Sequence, residues 1–174
     1  MPDTLPGTDR PVVVLIGAPG AGKTRLGKRL AKLLDVPFID TDKTIVAEHG
    51  AIAAMFELHG EPHFRAIERE HVAAALQNKA VVALGGGAVL DADTQVDLAA
   101  HRVLLLTVTP EAVEKRIAGS KRPLVRDGLG AWVALVEART PIYERLATRS
   151  VDTSNRPLDH IATELLGWLQ EERP

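Results

Sequence analysis

The sequence predicts an α/β fold with a central, mostly parallel five-stranded sheet flanked by helices. Three observations carry that expectation. Apolar runs at 11–16, 80–84 and 102–108, rich in Val and Leu, suit strands of a buried parallel sheet. Helical stretches with apolar residues spaced by three and four alternate with them. Glycine or acidic turns follow three of the predicted strands, at 17–22, 40–42 and 85–87. In such sheets ligands bind beyond the carboxyl ends of the strands, so parallel strands would bring these three turns to one edge.

The elements follow in order. The strand at 11–16 stops at Gly17-Ala18-Pro19-Gly20-Ala21-Gly22. A helix is predicted over 23–34, with Leu26, Leu30, Leu33 and Leu34 on its apolar face. Residues 36–39 form a short strand candidate, and Asp40-Thr41-Asp42 a turn and helix cap. From 44 to 77 the pattern is mostly helical, broken near Gly50 and at 60–62. The strand at 80–84 ends in three glycines, 85–87. A modest helix is predicted over 91–99, a strand over 102–108, and a further helix starting near Pro110 and ending at Gly119. Residues 119–130 carry three glycines and three basic side chains and read as a mobile loop. A helix over 131–147, a strand over 150–153 and a final amphipathic helix built on Leu158, Ile161, Leu165, Trp168 and Leu169 complete the chain.

The 174 residues suit a single domain over 11–174, preceded by a loose tail at 1–10. A net charge of -2 argues against nucleic acid as a main partner. The absence of cysteine excludes disulfides, thiolate catalysis and cysteine zinc sites. No stretch of about 20 apolar residues is present, so no membrane span is expected, and a cytoplasmic home is compatible with the composition. The six histidines form no HExxH motif or close metal pair and read as surface or core residues.

Residues 17–24, GAPGAGKT, match the phosphate-binding pattern GxxxxGK[ST] at every fixed position. Glycines let backbone amides approach an anion, and the following helix offers its unpaired amides to the same anion. Lys23 adds a charge at the β- and γ-phosphates, and the Thr24 hydroxyl is placed for Mg²⁺. The expected fold is therefore the P-loop nucleoside-triphosphate-binding type. The motif alone leaves a small-molecule kinase and a nucleotide switch both open.

Asp40 and Asp42 could divide two tasks, one near Mg²⁺ and one accepting a hydroxyl proton, although helix capping would also place Asp here. The strand at 81–84 carries no terminal acid, which makes Asp40 the candidate for the metal. Arg65 could equally be a surface arginine paired with Glu61 or Glu68. The run from Arg65 through Glu68 and Val72 to the 81–89 segment VVALGGGAV nevertheless resembles the signature of the shikimate kinase family. Gly60-Glu61, Phe64-Arg65, Arg122-Pro123-Leu124 and Arg139 ahead of Tyr143-Glu144 follow the family order, so the resemblance covers roughly residues 11–170.

That resemblance implies ATP-dependent phosphorylation of the shikimate 3-hydroxyl, in the route to chorismate and aromatic amino acids, by a monomer. It implies that Asp42, Arg65, Gly86, Gly87 and Arg139 hold shikimate, with 42–77 as the acid-binding helical segment. ATP would lie against Gly20, Ala21, Gly22, Lys23, Thr24 and Arg25, with Arg116 and Arg156 near adenine. Thr24 and Asp40 would serve Mg²⁺, and 119–130 would be a lid carrying Arg122 over the phosphates. Lys23, Asp42 and Arg122 would be the catalytic set. One departure is Arg25, where the family often has a second hydroxyl residue. Two rivals share part of the pattern: a kinase for another hydroxy acid such as gluconate, and a nucleotide-dependent regulatory module without turnover.

Overall fold

The computed structural model describes residues 9–118 and 128–171. Five strands, β1 (Val13–Gly17), β2 (Phe38–Asp40), β3 (Val81–Ala83), β4 (Val103–Thr107) and β5 (Arg149–Asp152), form one sheet in the order β2-β3-β1-β4-β5. All four pairings are parallel. The strand boundaries fall within one or two residues of the expected ones.

Alternation along the strands divides the core into two layers. Val13 and Leu15 point to one face and pack with helices α1 (Lys23–Leu34) and α8 (Leu158–Gln170) through Leu26, Leu30, Ile161 and Leu165. Val14 and Ile16 point to the other face. There they meet Val72 and Leu76 at the end of α4 (Glu61–Ala75), Leu98 of α5 (Ala92–Leu98) and Tyr143 of α7 (Leu129–Leu146). Gly27 permits the close approach of α1 to the sheet, because a Cβ there would lie 2.3 Å from the Phe38 ring. Leu33 departs from the expected apolar face and is 52% exposed. The buried stripe is Leu26, Gly27, Leu30 and Ala31 instead, so the helix turns its small residues toward the sheet.

A third cluster, Ile45, Met55 and Phe64, joins α2 (Thr41–His49), α3 (Ile52–His59) and α4 into a helical unit beside the sheet. Gly50 and Gly60 separate these helices, both with positive φ. Pro62 breaks nothing; it occupies the first turn of α4, where its missing N–H has no helical partner to lose. Helix α6 (Pro110–Ala118) follows β4 as expected. The proposed lid at 119–130 is shorter at its far end, because Leu129 and Gly130 already open α7. Residues 119–127, including Arg122, and the tail segment 1–8 lie outside the described residues. A short 3-10 turn, Ala88–Leu90, follows the triple glycine and is not evident from the sequence pattern. Among the described residues no helix is long and apolar enough to cross a membrane.

Candidate active site

The register of the sheet aligns the three turns. Leu15 and Asp40 both lie opposite Ala83, in β1 and β2 respectively, so Gly17, Gly85 and Asp42 each stand two residues beyond one level. Thr41 fastens two of these turns together. Its buried hydroxyl accepts from the Gly85 amide at 3.2 Å and donates toward the Ala83 carbonyl at 3.4 Å.

The loop over 17–22 is held by its carbonyl oxygens. Lys23 Nζ donates to Gly17 at 2.7 Å and Ala18 at 3.0 Å. Trp132 Nε1 donates to Pro19 at 2.9 Å, Arg116 Nη1 to Gly20 at 2.8 Å, and the Thr153 hydroxyl to Ala21 at 2.6 Å. Five consecutive carbonyls are thus committed to side chains. Gly22, the cap of α1, has φ 95°, a left-handed conformation that favours glycine, and its side chain position is empty. The first-turn amides of α1 have no partners within the helix, so they remain available to an anion.

Thr24 Oγ1 donates to Asp40 Oδ2 at 2.8 Å, which brings the two expected metal residues together. Both offer oxygen, the donor a hard divalent ion such as Mg²⁺ takes. Asp40 also caps α2, its other oxygen accepting from the Lys43 amide at 3.3 Å. Capping therefore uses one oxygen of Asp40 and the contact with Thr24 the other.

Asp42, in the first turn of α2, sits against the triple glycine: a Cβ on Gly85 would lie 2.5 Å from its Oδ1. Burial pushes the Asp42 carboxyl above its usual range, and the nearby Asp40 charge adds to this, against Lys23 and Arg65. Burial lowers Lys23 to about 8, against the carboxylates of Asp42 and Asp40. The two groups are thus near enough to act on each other's charge.

Arg65 makes both ion pairs considered from the sequence. Its Nη1 reaches Glu68 at 2.7 Å and its Nε reaches Glu61 at 3.4 Å. Glu68 is buried, 3% exposed, and burial raises its carboxyl while Arg65 opposes the rise. This pairing aims the guanidinium across Gly87, where a Cβ would lie 2.5 Å from Nη2. Arg139 of α7 approaches the neighbouring glycine, with Nη1 3.3 Å from a Cβ on Gly86. Tyr143, one turn on, donates its hydroxyl to the Gly86 carbonyl at 2.7 Å. Ionic pairing and pocket position are therefore compatible roles for Arg65.

Other expected residues are placed differently. Arg25 is exposed, and its charge acts on Arg116. Arg116 also donates to the Thr153 carbonyl at 2.5 Å and lines a cavity of about 450 Å³ with Thr109, Lys115, Ser154 and Asn155. Arg156 does not line it; its Nη2 pairs with Glu164 at 2.6 Å. Sequence reasoning missed Thr41, Thr153 and the binding of Trp132 to the loop. A lone buried threonine carries no spacing signal, and Trp132 is 2% exposed yet also holds Pro19.

The shikimate kinase family model matches residues 19–170. A shikimate kinase of Thermobifida fusca is 44% identical over 171 residues, covering 96% of this chain and 97% of the relative. The structure of a shikimate kinase from Acinetobacter baumannii in complex with shikimate superposes with TM-score 0.82 at 30% identity, covering 93% of each chain. A gluconokinase from Sinorhizobium meliloti, at TM-score 0.60 and 20% identity, shares the fold alone. With a glycine-rich loop, a carboxylate and two arginines converging on one sheet edge, and relatives of this identity along nearly its whole length, the chain belongs to the shikimate kinase family.

Proposed function

We propose that this chain transfers the γ-phosphate of ATP to the 3-hydroxyl of shikimate, giving shikimate 3-phosphate and ADP, a step toward chorismate and the aromatic amino acids. The observation that carries this reading is the grouping of Asp42, Arg65 and Arg139 around Gly85–Gly87, within electrostatic reach of Lys23.

The site divides into two halves. Gly20, Ala21, Gly22, Lys23 and Thr24 receive the phosphates, with Lys23 exchanging the Gly17 and Ala18 carbonyls for phosphate oxygens. Arg25 adds charge at the loop's outer side. The cavity beside Arg116 suits the nucleoside; Arg156, engaged with Glu164, is the weaker of the two expected adenine contacts. Thr24 and Asp40 would hold Mg²⁺, and the ion would supply positive charge to offset that of the polyphosphate. In the other half, Arg65 and Arg139 grip the shikimate carboxylate with charge-assisted hydrogen bonds, and the lack of side chains at Gly86 and Gly87 leaves room for the two guanidinium groups. Asp42 orients the 3-hydroxyl and takes its proton; burial raises its carboxyl and so makes it a stronger base for that proton. Arg122, outside the described residues, would supply a further charge to the transferring phosphoryl group.

An assay coupled to ADP release tests the reading. Shikimate should support turnover and gluconate should not. ATP binding by folded protein without turnover on either acid would favour the regulatory alternative. Equal turnover on both acids would contradict a preference for shikimate.

The same reading predicts the result of Gly87→Ala. The added methyl must displace the Arg65 guanidinium, which Glu68 holds in place, so carboxylate binding suffers rather than phosphate binding. A hydrogen bond to a charged group contributes about 1.5–3 kcal/mol, so KM for shikimate should rise about 10- to 100-fold. KM for ATP should stay within about twofold of the parent. A rise confined to ATP would contradict this placement of Gly87.

A further inference from the structure

The helical unit brings together side chains that the sequence does not mark as neighbours. His49 and His71 are separated by 22 positions and match no metal motif, yet the packing of α2 against α4 sets them on either side of Glu48. Glu48 Oε1 lies 3.6 Å from His49 Nε2, and Oε2 lies 3.3 Å from His71 Nε2. The potential ligand atoms all lie within 4.8 Å of one another. Nothing in the sequence spacing announces this proximity, which packing alone creates.

Protonation follows from the neighbours. The Thr44 hydroxyl donates to the Thr41 carbonyl at 2.9 Å. Its oxygen is therefore the acceptor toward His71 Nδ1, 3.0 Å away, and Nδ1 carries a hydrogen. The remaining ring nitrogen, Nε2, faces a carboxylate oxygen. A lone pair against a carboxylate is repulsive, so either a proton or a metal cation belongs between them. A histidine that donates one N–H to an oxygen and presents the other nitrogen to a cation is the usual arrangement of a metal ligand.

The geometry points to a divalent transition-metal site formed by Glu48, His49 and His71, with Thr44 orienting His71, that fastens α2 to α4. Two imidazoles and one carboxylate suit Zn²⁺ and its borderline-soft relatives, whereas Mg²⁺ prefers oxygen alone. Tetrahedral zinc with ligands at about 2.0–2.1 Å needs ligand separations of roughly 3.3 Å, so a set lying within 4.8 Å must draw in modestly around the ion. Glu48 and His49 are exposed and can make the remaining adjustment, while His71 is largely covered and fixed by Thr44. The ion would lie at the carboxyl end of α2, where the helix dipole favours positive charge. Glu48 stands six residues beyond Asp42 on α2, and His71 six beyond Arg65 on α4, about 9 Å along each helix. The site is thus separate from the active centre but braces the two helices that carry it.

Calorimetric titration of untagged, chelator-stripped protein with zinc, without nucleotide, tests the site. One zinc per chain should bind, with a rise in melting temperature that the same concentration of Mg²⁺ does not give. Thr44→Val should weaken zinc about 10- to 100-fold, and His49→Asn and His71→Asn each by more. His59→Asn with His63→Asn, on the other close histidine pair, should leave the affinity unchanged. His49→Asn, at an exposed position, keeps the test valid if the His71 variant fails to fold. Absence of zinc binding at micromolar concentration overturns the proposal in favour of a proton-bridged pair. Binding that survives both His49→Asn and His71→Asn, or that is lost in the His59/His63 variant, overturns it as well.

Discussion

Asp42→Asn should lower kcat about 10²- to 10⁴-fold, the range supplied by a positioned general base, while leaving the fold and ATP binding intact. The amide keeps the shape of the carboxylate, so the close fit to Gly85 survives. What disappears is the capacity to accept the hydroxyl proton. The pH profile gives an independent check. Burial and the Asp40 charge raise the Asp42 carboxyl in the free protein. A base works only when deprotonated, so kcat/KM for the parent should fall as the pH drops through this raised value, above the ordinary aspartate range. The variant should lose that limb. Rates from ADP release, nucleotide affinity from titration and a melting curve separate the possibilities. Full activity with an unchanged acid limb would remove Asp42 from the role of base.

The sheet and the phosphate loop were legible because their signals are local. A run such as 11–16 reads as a strand wherever it lies, and GAPGAGKT constrains itself through its own glycines. The convergence of Gly17, Asp42 and Gly85 also followed from strand direction alone, since parallel strands share one exit edge. Other features depend on packing between distant segments. Leu33 looked like core until Gly27 and Ala31 took the contact with the sheet. Arg65 could not be assigned from its neighbours, because pairing with Glu68 and position over Gly87 are satisfied together in three dimensions. The carbonyl anchors Trp132 and Thr153 lie more than a hundred residues from the loop they hold, with nothing in the spacing to announce them. The same limit hid the pair His49 and His71, which only the α2–α4 contact creates.

Lys23→Met should lower kcat about 10²- to 10³-fold, the cost of removing one group aimed at developing charge in a preorganised site. It should also alter how ATP binding depends on pH. In the free protein burial lowers Lys23 to about 8, and its Nζ rests on the Gly17 and Ala18 carbonyls. A bound polyphosphate is an anion beside that amine and raises its pKa, so binding draws a proton onto Lys23 at any pH above about 8 where the free amine is neutral. Affinity should therefore be level below about pH 7 and fall as the pH rises past about 8, by up to tenfold per unit. The phosphates themselves have shed their last proton well below that range, near pH 6, so they do not imitate the effect. Calorimetry at about pH 8.5 in buffers of different ionisation enthalpy measures the uptake, which should vanish in Lys23→Met. Uptake that persists in the variant would assign the proton to another group, and pH-independent affinity up to pH 9 would mean that Lys23 is already fully charged before ATP arrives.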